Sequence, residues 1–339
     1  MSRVALMALW EWFKLRRRWM PWILLVLLLL FSQIAIWGPF FAYQNMESSG
    51  ADVSVGFGDG RPVTVNCRAW LAGDTSGIPP DAPEELVNDL RESCQQRLAS
   101  QAEQLSILRD AFSLPGSILS VLGNTQALAL ALLAILTASV FGLEYGLGTV
   151  RTILVKGAGR WQYVAGKLAL LLIVAGGALG VAVGATVVSS LIAGSLAAEP
   201  SLDPEMFGEG TSSTWGDAGL GFAKSWAALV PYVGLTALVT VLARSSAIGM
   251  AVGLGYLFAE QILVALLSNL FQWFSNVADF LLVQNINAFV GSGGLGGPAG
   301  DGPGVLQASL VLAAYTVLFG ALAFWMFQRR DVGGASGGG

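Results

Sequence analysis

Long apolar runs set the pattern of the chain. They cover residues 21–43, 118–143, 164–197, 222–242, 247–267 and 305–327. Each is long enough, at about 1.5 Å per residue, for a helix to cross a hydrocarbon core about 30 Å thick. The pattern predicts an all-α polytopic membrane protein with six transmembrane helices. Residues 1–20 are patterned differently. On a helix turning about 100° per residue, Arg3, Glu11, Lys14, Arg17 and Arg18 fall in one sector, and Leu6, Leu9, Trp12, Phe13 and Trp19 lie mostly elsewhere. This predicts an amphipathic helix lying in the membrane interface. It reads either as an anchor for the first span or as a mechanical element that touches a partner. The first run is too long for a secretory leader and has no clear small-residue cleavage site, so it reads as a signal anchor.

Two connections carry patterns of their own. In residues 44–117, Val53, Val55 and Phe57 alternate, Asp59-Gly60 supplies a turn, and Val63, Val65 and Cys67 alternate again. That is a hairpin pattern. Asp81 and Pro83 then open a helix whose apolar positions (Leu86, Leu90, Cys94, Leu98, Ala102, Leu105, Phe112) recur at three to four residues. The segment predicts a small α+β insertion outside the cytoplasm. A Cys67–Cys94 disulfide is expected, because so small a domain on the oxidising side needs a staple. The alternative is two buried thiols. In residues 268–304, aromatic and aliphatic residues are interrupted by Asn269, Asn276, Asn285 and Asn287. The apolar part is too short and too polar to span twice, which suits re-entrant or interfacial helices before a Gly/Pro-rich loop. Residues 198–221 read as an outer loop and 328–339 as a cytoplasmic tail.

Charge orients this topology. The segments facing the first end hold twelve of the 18 basic residues, opposed by Glu11, Glu144 and Asp331. The other connections hold 18 of the 22 acids. Both termini are therefore expected in the cytoplasm. Composition narrows the function classes. Charged residues make up 12% and hydrophobic residues 54%, with a mean hydropathy of +0.65, against about 25% charged in soluble domains. A cytosolic enzyme and a disordered regulator are excluded. The net charge of −4 leaves no basic footprint for nucleic acid. The sequence has no histidine, so His-based triads, metal sites and proton relays are absent. Two cysteines alone build no zinc or iron–sulfur site. Gly166-Lys167-Leu168 lacks the Ser/Thr of a nucleotide-binding loop. No catalytic residue, no metal site and no enzyme activity on this chain are expected.

Three features remain. Glu260 lies well inside the fifth span and must face the bundle or carry a proton. It reads as a substrate contact, an inter-subunit hydrogen bond or a structural polar knot. Gly176, Gly180 and Gly184 recur every four residues and suggest close helix packing. The segment 144–163 joins spans two and three on the cytoplasmic side, with a carboxylate near its start, cations beyond and flanking glycines. It reads as a short helix that fits a cleft on a soluble partner, or as an ordinary topogenic loop.

Glu144, Gly148, Thr149, Arg151 and Ile153-Leu154, followed by Arg160 and by Gly166-Lys167 opening a long helix, resemble the coupling region of ABC-2 type transporter permeases. The N-terminal Glu11 and Lys14 match the Glu-x-x-Lys pattern of the same family, and the topology agrees over nearly the whole chain. The resemblance implies the permease subunit of a type V-like ATP-driven exporter in a bacterial or archaeal plasma membrane. It implies that residues 1–20 form a gate helix and 144–163 a coupling helix, with Glu144, Gly148, Thr149, Arg151 and Arg160 as contacts to an ATPase. Implied partners are two ABC ATPase subunits and a second copy of this chain or a similar permease, within the bilayer. No cofactor belongs to this chain; ATP and magnesium belong to the ATPase. The broad apolar spans suggest a hydrophobic or amphipathic cargo: a lipid, a peptide or a drug. Two other classes stand beside this reading. One is an ion-coupled secondary transporter using Glu260; the other is an anchor or sensor subunit whose outer domain binds a ligand.

Overall fold

The computed structural model describes residues 3–48, 52–56, 62–71, 84–146, 159–197, 213–291 and 303–329. Among them the elements run α1 (Arg3–Arg16), α2 (Trp19–Ser48), β1 (Asp52–Gly56), β2 (Pro62–Asn66), α3 (Cys67–Leu71), α4 (Glu84–Phe112), α5 (Gly116–Gly146), α6 (Arg160–Leu196), α7 (Trp215–Ala243), α8 (Ser246–Leu270), α9 (Gln272–Ala278), α10 (Leu282–Val290) and α11 (Val305–Arg329). Six helices, α2, α5, α6, α7, α8 and α11, are long and apolar enough to cross a membrane. They correspond to the six predicted runs. The fourth begins at Trp215, earlier than the apolar pattern suggests. Asp217 stands in its first turn, where a carboxylate favours the helix N-terminus.

The N-terminal helix stops at Arg16, short of the predicted twenty residues. Arg17 and Arg18 form a turn, with the Arg18 amide donating to the Leu15 carbonyl at 3.0 Å. Pro21 has no N–H to offer the Arg17 carbonyl, so the helical ladder cannot run unbroken through this elbow.

The chain divides into two compact units, to both of which α2, α5 and α6 contribute. One comprises Gln33–Ile118 and Thr186–Trp215. In it β1 and β2 pair antiparallel, from Asp52 opposite Asn66 to Gly56 opposite Pro62. Asn66 then caps a helix: its Oδ1 accepts from the backbone N–H of Arg68 and of Ala69, both at 3.1 Å. Cys67 therefore opens α3 rather than closing the strand. It is bonded to Cys94 as a disulfide, with both residues fully buried. The stripe of α4 is buried as its spacing requires, through Leu90, Leu98, Ala102, Leu105 and Phe112. Phe112 meets Phe40 and Tyr43 edge-on, at 5.6 and 5.4 Å between centroids.

The other unit comprises Met1–Ser32, Leu119–Ala185 and Gly216–Gly339. Backbones approach closely where α5, α7 and α8 meet. A Cβ on Gly142 would lie 2.4 Å from the Ser246 Cα, and one on Gly249 would lie 2.0 Å from the Thr240 Oγ1. The α7–α8 link is tight. Arg244 takes a left-handed φ of 50°, and Ser245 caps α8 by accepting from the Ile248 amide at 3.4 Å. The glycine stripe of α6 behaves differently from its expected packing role. A Cβ on Gly176 would approach the Trp226 indole nitrogen to 3.0 Å, but Gly180 and Gly184 have open space. Between α8 and α11 the chain forms two short helices, α9 and α10. Gly291, at φ 81°, ends α10 with its amide on the Asn287 carbonyl at 2.9 Å. The Gly/Pro-rich stretch 292–302 lies outside the described residues.

Candidate functional site

The first site is built around a buried ammonium. Lys167 lies in α6, four residues after Tyr163, and its side chain is 1% exposed. A charge so far from water needs compensation by charge or hydrogen bonds. Its three N–H donors find three oxygens: Glu11 Oε2 at 3.1 Å, Glu144 Oε1 at 3.2 Å and the Val140 carbonyl at 3.0 Å. The faces of Tyr163 and Phe141 complete the pocket, with centroids 5.1 and 5.8 Å away. Lys14 closes the circuit from the other side, at 2.9 Å from Glu11 Oε1 and 3.1 Å from Glu144 Oε1. Two carboxylates and two ammoniums cancel. The Tyr163 hydroxyl donates to the remaining oxygen of Glu144.

Each helix contributes for a local reason. Glu144 stands in the last turn of α5, where a carboxylate alone opposes the helix dipole; two lysines reverse that penalty. It therefore belongs to the end of a spanning helix, and not to the start of the short cytoplasmic helix the sequence suggests. Glu11 and Lys14 are three residues apart on α1 and face the same way. They reach α6 because α6 carries Gly166, where a Cβ would lie 2.9 Å from the Met7 Cβ. Burial works against the Lys14 charge, but the carboxylates of Glu11 and Glu144 outweigh it and hold its pKa above the usual 10.5.

The structure thus joins Glu11, Lys14 and Glu144, three of the residues singled out in the sequence. Gly148, Thr149 and Arg151 lie outside the described residues. Arg160 opens α6. Sequence reasoning missed the part played by Lys167 and Tyr163. Their spacing of four residues at the start of a helix was the available signal.

Glu260 is a separate site. It is buried in α8, and its Oε1 accepts from the Gln284 backbone N–H at 2.8 Å. Gln284 is the third residue of α10, whose N-cap is Leu281, a residue with no side-chain hydrogen bond to give. Glu260 therefore acts as a cap supplied from another helix. Its carboxyl oxygen meets the positive end of the α10 dipole. Among the described residues, no cluster of three or more acids or cysteines is placed to hold a metal ion.

The joint occupies the ends of α5 and α6 that flank residues 147–158; its charges cancel, and all but the half-exposed Lys14 are buried. Comparison with curated proteins and with solved structures returned no match. A family profile described as ABC-2 family transporter protein matches residues 6–332. With six helices fit to cross a membrane and a match over nearly its whole length, the chain belongs to the ABC-2 family and is a multi-pass membrane subunit of an ABC transporter.

Proposed function

We propose that this chain is the permease of an ATP-driven exporter, moved by a separate ABC ATPase that docks on the segment between α5 and α6. The observation that carries the reading is the four-charge joint. Glu11 and Lys14 of α1 are tied to Glu144 at the end of α5 and to Lys167 at the start of α6. A push on residues 147–158 reaches both helices and, through the joint, α1. Gly148, Thr149, Arg151 and Arg160 are the proposed contacts to the ATPase, which holds ATP and magnesium. Two permease chains form the path, as a homodimer or with a similar chain, and the cargo is hydrophobic or amphipathic. Glu260 is engaged by the α10 amides, which weighs against its serving as the acid of an ion-coupled transporter.

The test is co-expression with the candidate ATPase, read by copurification and by substrate-stimulated hydrolysis. Arg151→Ala should weaken binding by about 2–5 kcal/mol if its guanidinium is buried at the interface. Glu144→Gln should retain binding and lower stimulation. Unchanged binding together with unchanged stimulation in both variants rejects the reading.

A further inference from the structure

A cavity of about 400 Å³ opens between α1, α2, α5 and α6, beside the joint but apart from it. Its size is that of a small-molecule site. Its walls are hydrocarbon, with Leu28, Leu132, Leu136, Ile173 and Val181 among them. At its mouth stand Trp12, Arg16 and Trp22, and Arg16 is the one charged residue in the lining. Trp22 is held there by its indole N–H, which donates to the Arg16 carbonyl at 3.1 Å. Arg17 and Arg18 follow at the elbow, and no Asp or Glu occurs between residues 12 and 46. Among the described residues none of these three arginines forms an ion pair, and Arg17 rests on the Phe13 ring at 4.5 Å.

These features select an occupant. A peptide in this cavity would bury backbone N–H and C=O groups against walls that offer no partner. A second helix, about 10–12 Å wide, does not fit in this volume. One acyl chain fits both the shape and the chemistry. Arg16, in the lining with Trp12 and Trp22, and Arg17 and Arg18 next in the chain supply positive charge that matches a phosphate headgroup without a compensating cation. We propose that the cavity holds an acyl chain of an anionic phospholipid from the leaflet at the α1 end, with its phosphate on Arg16–Arg18. The lipid touches α1 through Trp12, Leu15 and Arg16, the same helix that carries Glu11 and Lys14. It is a resident clamp on α1 and independent of the cargo and of the ATPase.

Gly177 makes the test clean. It lines the cavity one turn from Ile173 and Val181, and a Cβ there would meet no heavy atom within 4 Å. Gly177→Leu adds bulk to the cavity from a position where the first added carbon meets no protein, and Gly177→Ala is the control for folding. The full chain is reconstituted in vesicles of equal parts phosphatidylglycerol and phosphatidylcholine, extracted gently and weighed by native mass spectrometry. The wild type should retain phosphatidylglycerol over phosphatidylcholine by about tenfold or more. Gly177→Leu should lose the retained lipid, Gly177→Ala should keep it, and Arg16→Glu should lose the preference between headgroups. Equal retention of the two lipids by the wild type overturns the proposal. So does undiminished retention in Gly177→Leu, and so does displacement of the lipid by millimolar inorganic phosphate, which would mark a site for a free anion.

Discussion

The unit that includes α1 buries acidic side chains in two ways. At the joint, Glu11 and Glu144 are neutralised by Lys14, from the same helix as Glu11, and by Lys167 of α6. At Glu260 no cation is paired among the described residues, and the Gln284 amide of α10 donates to a carboxyl oxygen instead. The difference lies in what each arrangement tolerates. A charge paired with a charge fails when either partner goes, since the survivor is left buried and uncompensated. A carboxylate on a helix N-terminus uses partial charges that the backbone provides whatever the side chains are, so a neutral acceptor can replace it. The joint is therefore sensitive to identity, and the cap only to the presence of an oxygen.

The strongest challenge to that comparison is Lys167→Met. It leaves two carboxylates facing one half-exposed lysine, and should destabilise by about 3–5 kcal/mol. Thermal unfolding in detergent measures the loss, and protease access at the α1–α2 elbow should rise with it. Adding Glu11→Gln to Lys167→Met should recover part of the loss, with a coupling of about 0.5–3 kcal/mol. Strict additivity would show that the charges do not act together. Next in size is Cys67→Ser with Cys94→Ser. The cost should be about 2–4 kcal/mol, confined to the unit that holds α3 and α4. Hydrogen exchange should show faster opening of α4 with α1 and α10 unchanged, and loss of protection at α10 would contradict the separation of the sites. Third comes Glu260. Glu260→Leu removes the cap and should cost about 0.5–2 kcal/mol, whereas Glu260→Gln should cost only a few tenths. A large loss in Glu260→Gln would mean that this site too depends on full charge. The smallest effect concerns pH. Lys14 is held above 10.5 in the folded chain, so its contribution is complete below that value and fades as pH rises through the folded pKa. Docking of α1, followed by fluorescence of its tryptophans, should be flat between about pH 6 and pH 9 and weaken only in stronger alkali.

The spans were legible because each is one long apolar run, which needs no knowledge of what it packs against. The disulfide was legible for a similar reason: a helical stripe places Cys94 inward, and so small a unit needs a staple. The joint was legible in part. Glu11, Lys14 and Glu144 stood out by motif, and Gly166-Lys167 belonged to the same motif, yet nothing in it showed that Lys167 is buried between Glu11 and Glu144. Charge counts bear on the side of the membrane and say nothing about pairing across more than a hundred residues. The cap made by Glu260 was hidden for the same reason. Its helix lies 24 residues further on, and hydrogen bonds of that reach leave no periodicity. Local capping was missed more simply. Asn66 ends an alternating strand pattern and its side chain starts α3, so Cys67 was read as one residue too many of β-strand.

The joint also sets an order of events during synthesis. Glu11 is bonded to Lys167, 156 residues later in the chain. At ~5–20 residues per second the ribosome needs roughly 8–30 s to make the stretch between them. Through that interval Glu11 and Lys14 are already made and α6 does not yet exist. Until then the N-terminal helix has Glu144 of α5 as its charged partner but not Lys167, and its exposed Trp10, Trp12 and Phe13 suit it to the membrane interface. Completion of the joint is thus a late step in biogenesis, and a nascent chain halted before α6 should hold α1 only through Lys14 and Glu144, without the Lys167 pairs.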